Sequence, residues 1–316
     1  MSHGEHKSTV VITGSSGLVG SALTDLLLGQ GYEVRRLVRG TGAHQAREGV
    51  TTAPWSPAHG QLDPESVSGC EAVVHLAGAG IADARWSAER KRVIRESRVT
   101  GTGLLARALA AAADPPRVLV SASATGYYGS RGDLVLDEGS GPGFGFLSDV
   151  AQDWEAATAP ASEAGIRVVH LRIGVVLSPR GGALARMLTP FKAGFGGPLG
   201  DGRQFWSWIA LDDLLGTVLH ALTEDSLHGP VNACAPDPVR VAEFSSALGR
   251  VLRRPAFLRV PGFVLKLLLG EMADELLLSS TRVRPARLLE SGFEFRFPEL
   301  EMALRHLLDR PAGGAR

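Results

Sequence analysis

Val10-Val11-Ile12-Thr13-Gly14-Ser15-Ser16-Gly17-Leu18-Val19-Gly20 decides the fold of this chain. A β-branched run feeds a loop of spaced glycines, and the loop opens a helical pattern in which Leu18, Ala22, Leu23, Leu26 and Leu27 recur. Strand, glycine loop and helix in that order suit a dinucleotide pyrophosphate. Gly14 permits the tight turn, Gly17 lets the backbone approach the phosphates, and Gly20 lets the helix lie close against the strand. The N–H groups at the helix start, around Ser16, Leu18 and Val19, then face the anion. The spacing is Gly-x-x-Gly-x-x-Gly rather than the commoner Gly-x-Gly-x-x-Gly, so context, not glycine content, separates it from an ordinary βα turn.

The neighbouring segments supply that context. Gly31 ends the helix, and Tyr32 to Val38 read as the second strand. An acidic residue at the end of that strand would accept hydrogen bonds from a ribose 2′-OH and select NAD. Arg39 stands there instead, directly after Val38, with Arg35 and Arg36 nearby. A guanidinium suits a 2′-phosphate, which favours NADP over NAD; a solvated basic strand end is the alternative.

Strand and helix patterns alternate onward. Ala72 to Gly78 reads as a buried strand ending in small residues, Val99 to Ala112 as a helix and Arg117 to Ser121 as a strand. Trp154 to Ala164 follows as a helix and Gly165 to Arg172 as a strand. This predicts an α/β protein: a Rossmann-type, doubly wound parallel sheet with a smaller C-terminal substrate-side lobe and a ligand crevice at the carboxyl ends of the strands. The division expected is a dinucleotide-binding domain over 1–177, its sheet completed by later segments. Interleaved loops and strands follow over 178–240, then a helix-rich C-terminal domain over 241–316. Gly141-Pro142-Gly143-Phe144-Gly145 is the segment expected to be mobile.

The bulk properties exclude several classes. Lys+Arg and Asp+Glu each number 33, which leaves no whole-molecule field to draw in nucleic acid or an anionic membrane. Cys70 and Cys234 are too few for a disulfide framework or a structural zinc site, and His75, His170 and His220 lack metal-ligand spacing. The segment before the first strand is polar, and a signal peptide is not expected there. The apolar stretch Phe263 to Leu278 is broken by Lys266, Glu271, Asp274 and Glu275, so a membrane span is not expected. A cytoplasmic protein acting on a small molecule is expected, as a monomer or a homodimer.

Several further motifs carry a family resemblance. His75-Leu76-Ala77-Gly78-Ala79-Gly80, Arg85-Trp86, Ser97-Arg98-Val99-Thr100-Gly101-Thr102 and Ser121-Ala122-Ser123-Ala124-Thr125-Gly126-Tyr127-Tyr128-Gly129 are followed by Trp154-Glu155, Leu171-Arg172-Ile173-Gly174 and Trp206-Ser207-Trp208-Ile209. Arg284-Pro285-Ala286-Arg287 and Gly292-Phe293-Glu294-Phe295 come last. With the glycine loop, they make the chain resemble the extended short-chain dehydrogenase/reductase superfamily. Within it the chain looks like the atypical epimerase-family branch, whose C-terminal domain has an uncharacterised role. The resemblance implies that Leu76, Ala77 and Gly78 line the adenosine and nicotinamide-ribose side of the cofactor. Arg98, standing where the superfamily commonly has Asn, would reach cofactor phosphates or ribose; alternatively it pairs with Glu96 or Glu89 on a helix surface. Ser123 matches the serine that hydrogen-bonds the reacting oxygen, and the region around Trp206 and Trp208 matches a substrate wall, often for a nucleotide-linked sugar.

The superfamily's Tyr-x-x-x-Lys pair is missing. Aligning Glu155 with the acidic residue that often follows it puts Leu147 and Ala151 at the Tyr and Lys places, and a one-residue slip gives Phe146 and Val150. None can transfer a proton. Tyr127 and Tyr128, on the loop after Ser123, are the replacement candidates, unless one ring packs in the core; Asp149 and Asp153 are solvated helix carboxylates by default. Trp206 and Trp208 either stack on a ring or belong to the core, Asp212-Asp213 is expected to cap a helix, and Arg172 is a candidate anion contact at the crevice rim. An NADP-dependent oxidoreductase or epimerase acting on a small hydroxyl or carbonyl compound is the leading reading, with catalysis at Ser123, Tyr127 and Tyr128. A non-catalytic NADP(H) sensor or scaffold is the alternative. A dehydratase using Asp149 or Glu138 as base ranks last.

Overall fold

The computed structural model describes residues 8–40 and 46–309. The chain runs β1 (Thr9–Thr13), α1 (Leu18–Gly29), β2 (Glu33–Val38), β3 (Val50–Pro54), β4 (Ala72–His75), α2 (Ala88–Ala111), β5 (Val118–Ala124), a short β6 (Val135–Leu136), α3 (Phe146–Ala156), α4 (Ala159–Glu163) and β7 (Arg167–Ile173). It continues with β8 (Val175–Leu177), α5 (Gly182–Lys192), β9 (Phe205–Trp206), β10 (Trp208–Ala210), α6 (Leu211–Thr223), β11 (Gly229–Ala233) and β12 (Val239–Arg240). Then come α7 (Val241–Leu252), α8 (Gly262–Leu269), β13 (Arg282–Val283), α9 (Ala286–Glu290) and α10 (Leu300–Leu307).

Seven strands form one sheet in the order β11-β7-β5-β4-β1-β2-β3, and every pairing in it is parallel. The order reverses direction at β1, whose neighbours are β2 on one side and β4 on the other, which places the ligand crevice beyond Thr13 and His75. Both faces of the sheet are covered. Val10, Ile12, Val74 and Val120 pack with Leu23 and Leu27 of α1 and Leu214 and Val218 of α6. Val11, Val73 and Leu119 pack with Leu105 and Leu109 of α2 and Ala161 of α4. Strands buried on both faces read as unbroken apolar runs, which is why β1 and β4 stand out in the sequence.

A second core lies in the later part of the chain, where Leu184, Leu188 and Phe191 of α5, Phe244 and Leu248 of α7, and Ala303 and Leu304 of α10 enclose Trp206 and Trp208. β11, from the region of interleaved loops and strands, completes the main sheet as its edge strand beside β7. α2 begins at Ala88 rather than near Val99. Its first half is charged, so its apolar periodicity is weak, but the Ser87 hydroxyl caps it by accepting from the Arg90 N–H at 3.1 Å. The glycine segment 141–145 is pinned, not loose: the Gly143 N–H donates to the Tyr127 carbonyl at 2.9 Å, and its backbone packs too closely on Tyr128 to admit a Cβ.

Candidate functional site

The turn after β1 is built by what its glycines lack. Gly14 has φ +67°, and a Cβ there would lie 2.8 Å from the Leu76 carbonyl and 2.9 Å from the Ala77 nitrogen. A Cβ on Gly20 would reach 2.8 Å from Ser15 Cα, so α1 lies against its own entry loop only because that atom is missing. Gly17 is the extended N-cap of α1, and no side chain caps the helix there. Ser16 and Gly17 are exposed and Leu18 and Val19 half-buried, leaving the first N–H groups of α1 for an anion. Thr13 ties this turn to β4: its hydroxyl lies 2.7 Å from His75 Nδ1 and accepts from the Leu76 and Ala77 N–H groups at 3.1 and 3.2 Å. His75 Nε2 lies 2.8 Å from the Thr102 hydroxyl, and burial lowers the imidazole pKa from 6.5 to about 4. His75 is a neutral strut.

Arg98 of α2 lies over this turn. A Cβ on Gly78 would meet its guanidinium carbon at 3.3 Å, and its Nη1 donates to the Ala79 and Ile94 carbonyls at 3.0 and 3.1 Å. Glu89 and Glu96 do not pair with it; both hold Arg92, at 2.7 and 2.9 Å. Burial, with Arg90 adding to it, pulls the Arg98 pKa down to about 10. A half-buried cation with no carboxylate among the described residues beside a glycine-smooth wall fits a phosphate or ribose ligand. Arg39 is exposed just after β2, whereas Arg35 is occupied by the Ser66 and Ser68 carbonyls at 3.2 and 3.1 Å.

The β5–β7 end of the crevice rests on side chains. Ser123 is buried, and its hydroxyl donates to Glu155 Oε1 at 2.6 Å. Arg172 grips the same carboxylate in bidentate fashion, Nε and Nη2 each at 2.8 Å. Its Nη1 donates to the Tyr128 hydroxyl at 3.0 Å, and that hydroxyl donates to Asn232 at 2.7 Å. Burial alone would lower the Arg172 pKa, but the bonds to Glu155 and Tyr128 outweigh it and hold the guanidinium protonated. Tyr127 is half-buried, with its ring centroid 3.4 Å from the Arg172 guanidinium carbon.

Helical spacing explains the reach of Glu155. Leu147, Ala151 and Glu155 are spaced i, i+4, i+8 on α3 and so share one face. The face that carries Tyr and Lys in the superfamily pattern therefore presents two apolar residues and then a carboxylate at Ser123. Glu155 served in the sequence only as an alignment marker. The spacing from the two apolar places was the available signal. Glu275 from the C-terminal part was also missed; its carboxylate accepts from the Phe146 and Leu147 N–H groups at 3.2 and 3.3 Å and caps α3 from 128 residues away.

Four expectations are corrected. Tyr128 is fully buried, with both hydroxyl bonds made inside the protein, and burial pushes its pKa up to about 12, so it does not face a substrate. Arg172 is 3% exposed and committed to Glu155, not a free anion contact at the rim. Trp206 and Trp208 are core residues, 6% and 0% exposed, packed against α5 and α7 rather than lining a crevice. Asp213 does not cap a helix; it accepts from the Arg296 and Phe297 N–H groups at 2.8 and 3.0 Å and anchors the C-terminal segment. Glu138 is buried beneath β11, accepting from the Asn232 N–H at 2.9 Å, while Asp149 is exposed and Asp153 is paired with Arg95. No cluster suited to a metal ion occurs among the described residues, and none of their helices is long and apolar enough to cross a membrane.

A profile described as "Domain of unknown function (DUF1731)" matches residues 260–307. The "Epimerase family protein" of Mycobacterium bovis is 43% identical over 304 residues, covering 96% of this chain and 99% of that protein. Human epimerase family protein SDR39U1, solved with NADPH, aligns with a TM-score of 0.86 at 35% identity over 95% of this chain and 99% of that one. A nucleoside-diphosphate sugar epimerase structure from Corynebacterium glutamicum gives a TM-score of 0.77 at 39% identity, covering 96% of this chain and 58% of that one. The family profile that spans residues 10–234 joins the glycine turn to the Ser123–Glu155–Arg172 chain, and by that match the protein belongs to the NAD dependent epimerase/dehydratase family.

Proposed function

We propose that this chain is an NADP(H)-dependent oxidoreductase or epimerase that acts on a small hydroxyl or carbonyl compound, of sugar type by analogy with its relatives. The observation that carries the reaction is the Ser123 hydroxyl aimed at a carboxylate that Arg172 holds from two sides. Gly14, Ser16, Gly17, Leu18, Val19 and Gly20 hold the pyrophosphate, and Leu76, Ala77, Gly78 and Arg98 line the adjoining ribose. Val38 and Arg39 take the adenosine ribose, the Arg39 guanidinium pairing with a 2′-phosphate. When bound, the nicotinamide supplies or accepts a hydride.

The protein's part is proton handling. The Ser123 proton is committed to Glu155 Oε1, so Ser123 meets a substrate hydroxyl with its lone pairs. As the substrate loses its hydroxyl proton to Ser123 Oγ, the serine proton moves to Glu155; in carbonyl reduction the path runs backward. Arg172 keeps the carboxylate in register for both directions, and Tyr127, stacked on the same guanidinium, is the second donor within the loop. A relay of this kind contributes about 10²–10⁴-fold to rate.

Titration with NADPH and NADH, followed by nicotinamide fluorescence, tests the cofactor half. NADPH binds more tightly than NADH, Arg39→Ala removes that preference, and Arg98→Ala weakens both by about tenfold or more, the scale of one charge-assisted hydrogen bond. Binding of neither cofactor would end the proposal. The apolar Leu147 and Ala151 favour one other reading, an NADP(H) sensor without turnover; it predicts tight NADPH binding and no oxidation with any carbonyl compound.

A further inference from the structure

Between Glu243 and Glu271 the chain contains Arg250, Arg253, Arg254, Arg259 and Lys266 and no Asp or Glu. The whole molecule is charge-balanced, so this is a local positive field that the overall count conceals. Arg250 pairs with Glu301 and Lys266 with Asp274, but Arg253, Arg254 and Arg259 have no ion pair among the described residues. Interleaved with these cations are large apolar side chains turned to solvent: Phe257 at 75% exposure, Phe263 at 73%, Leu267 at 74% and Leu268 at 63%. Phe257 also borders a surface cleft of about 400 Å³ lined by Arg250, Arg253 and Arg254.

Arg253 ends α7 at φ 55°, in the left-handed region where glycine is the unstrained choice. Arg253 therefore holds a cation at a position whose backbone would be relieved by glycine.

We propose that this segment docks the protein on the surface of an anionic lipid bilayer, with headgroup phosphates in the arginine-lined cleft and Phe257, Phe263, Leu267 and Leu268 entering the headgroup–acyl boundary. Exposed apolar residues set among unpaired cations are the composition of an interfacial anchor. α8, at eight residues, is far too short to span a bilayer, so the contact is peripheral. A second copy of this chain is a poorer occupant, because a twofold interface on this face would bring the same arginines together.

Co-sedimentation of the full chain with vesicles tests this. The protein binds vesicles of equal parts phosphatidylcholine and phosphatidylserine, does not bind phosphatidylcholine alone, and is released by raised salt. The double variant Phe263→Asp/Leu267→Asp loses binding by about tenfold or more. Arg253→Gly separates binding from folding: it unfolds at the same or a higher temperature than wild type, by circular dichroism, yet binds anionic vesicles several-fold more weakly. Failure to bind anionic vesicles, or binding that both variants retain, overturns the proposal. So does a dimer in light scattering that Phe263→Asp/Leu267→Asp dissociates while vesicles are ignored, which would give the face to a second copy.

Discussion

At the β1–β4 end of the crevice the geometry is set by backbone: glycines that lack a Cβ, an uncapped helix start, and the Thr13–His75 strut beneath. At the β5–β7 end it is set by side chains, with Ser123, Glu155, Arg172 and Tyr128 in one hydrogen-bonded chain. The backbone end tolerates almost no substitution at Gly14 and Gly20, because a Cβ on either collides with main chain. A side-chain site can be rewritten without moving a strand. In keeping with that contrast, the α3 face presents Leu147 and Ala151 at the Tyr and Lys places, with Glu155 one turn on at Ser123, while the sheet order and the glycine turn keep their form.

Breaking the side-chain end should cost most. Arg172→Ala leaves the Glu155 carboxylate buried without its cation, and the expected loss is about 3–5 kcal/mol of unfolding free energy in denaturant. A loss under 1 kcal/mol would mean that the pair is solvated and the contrast is misdrawn. The backbone end carries its own stability signature in pH. His75 has a folded pKa of about 4 against 6.5, so the unfolded chain takes up its proton first as pH falls. Stability is level in this respect above pH 6.5 and drops by about 1.4 kcal/mol per pH unit between there and 4. His75→Asn should flatten that slope, and an unchanged slope would remove His75 from the account.

Gly20→Ala is next: overpacking against the entry loop is expected to cost about 1–3 kcal/mol and to weaken NADPH binding along with stability. Loss of cofactor binding at unchanged stability would mean that the methyl meets the ligand, not the loop. Arg39→Ala is the smallest, an exposed contact of about 1 kcal/mol that acts on NADPH and leaves NADH and the melting temperature alone.

The same contrast governs what could be read from the chain. The turn, the buried strands β1 and β4 and the α/β class were legible because glycine spacing and apolar runs are local signals. The charged first half of α2 was not, since a Ser87 cap and ion pairs replaced the apolar stripe there. Tyr128, Arg172, Trp206 and Trp208 have side chains equally suited to a site or a core, and only packing decided between them. Glu155 acquires meaning when β5, α3 and β7 bring Ser123, Glu155 and Arg172 together from three separate elements.

An end that holds the cofactor and an end that moves the proton should be separable by mutation. Glu155→Gln, an isosteric change, tests it when NADPH binding and NADPH oxidation with a panel of aldehydes and ketones are measured side by side with wild type. The variant is expected to bind NADPH within about twofold of wild type and to oxidise it about a hundredfold or more slowly. Oxidation that survives in Glu155→Gln, or affinity that collapses with it, would contradict the account.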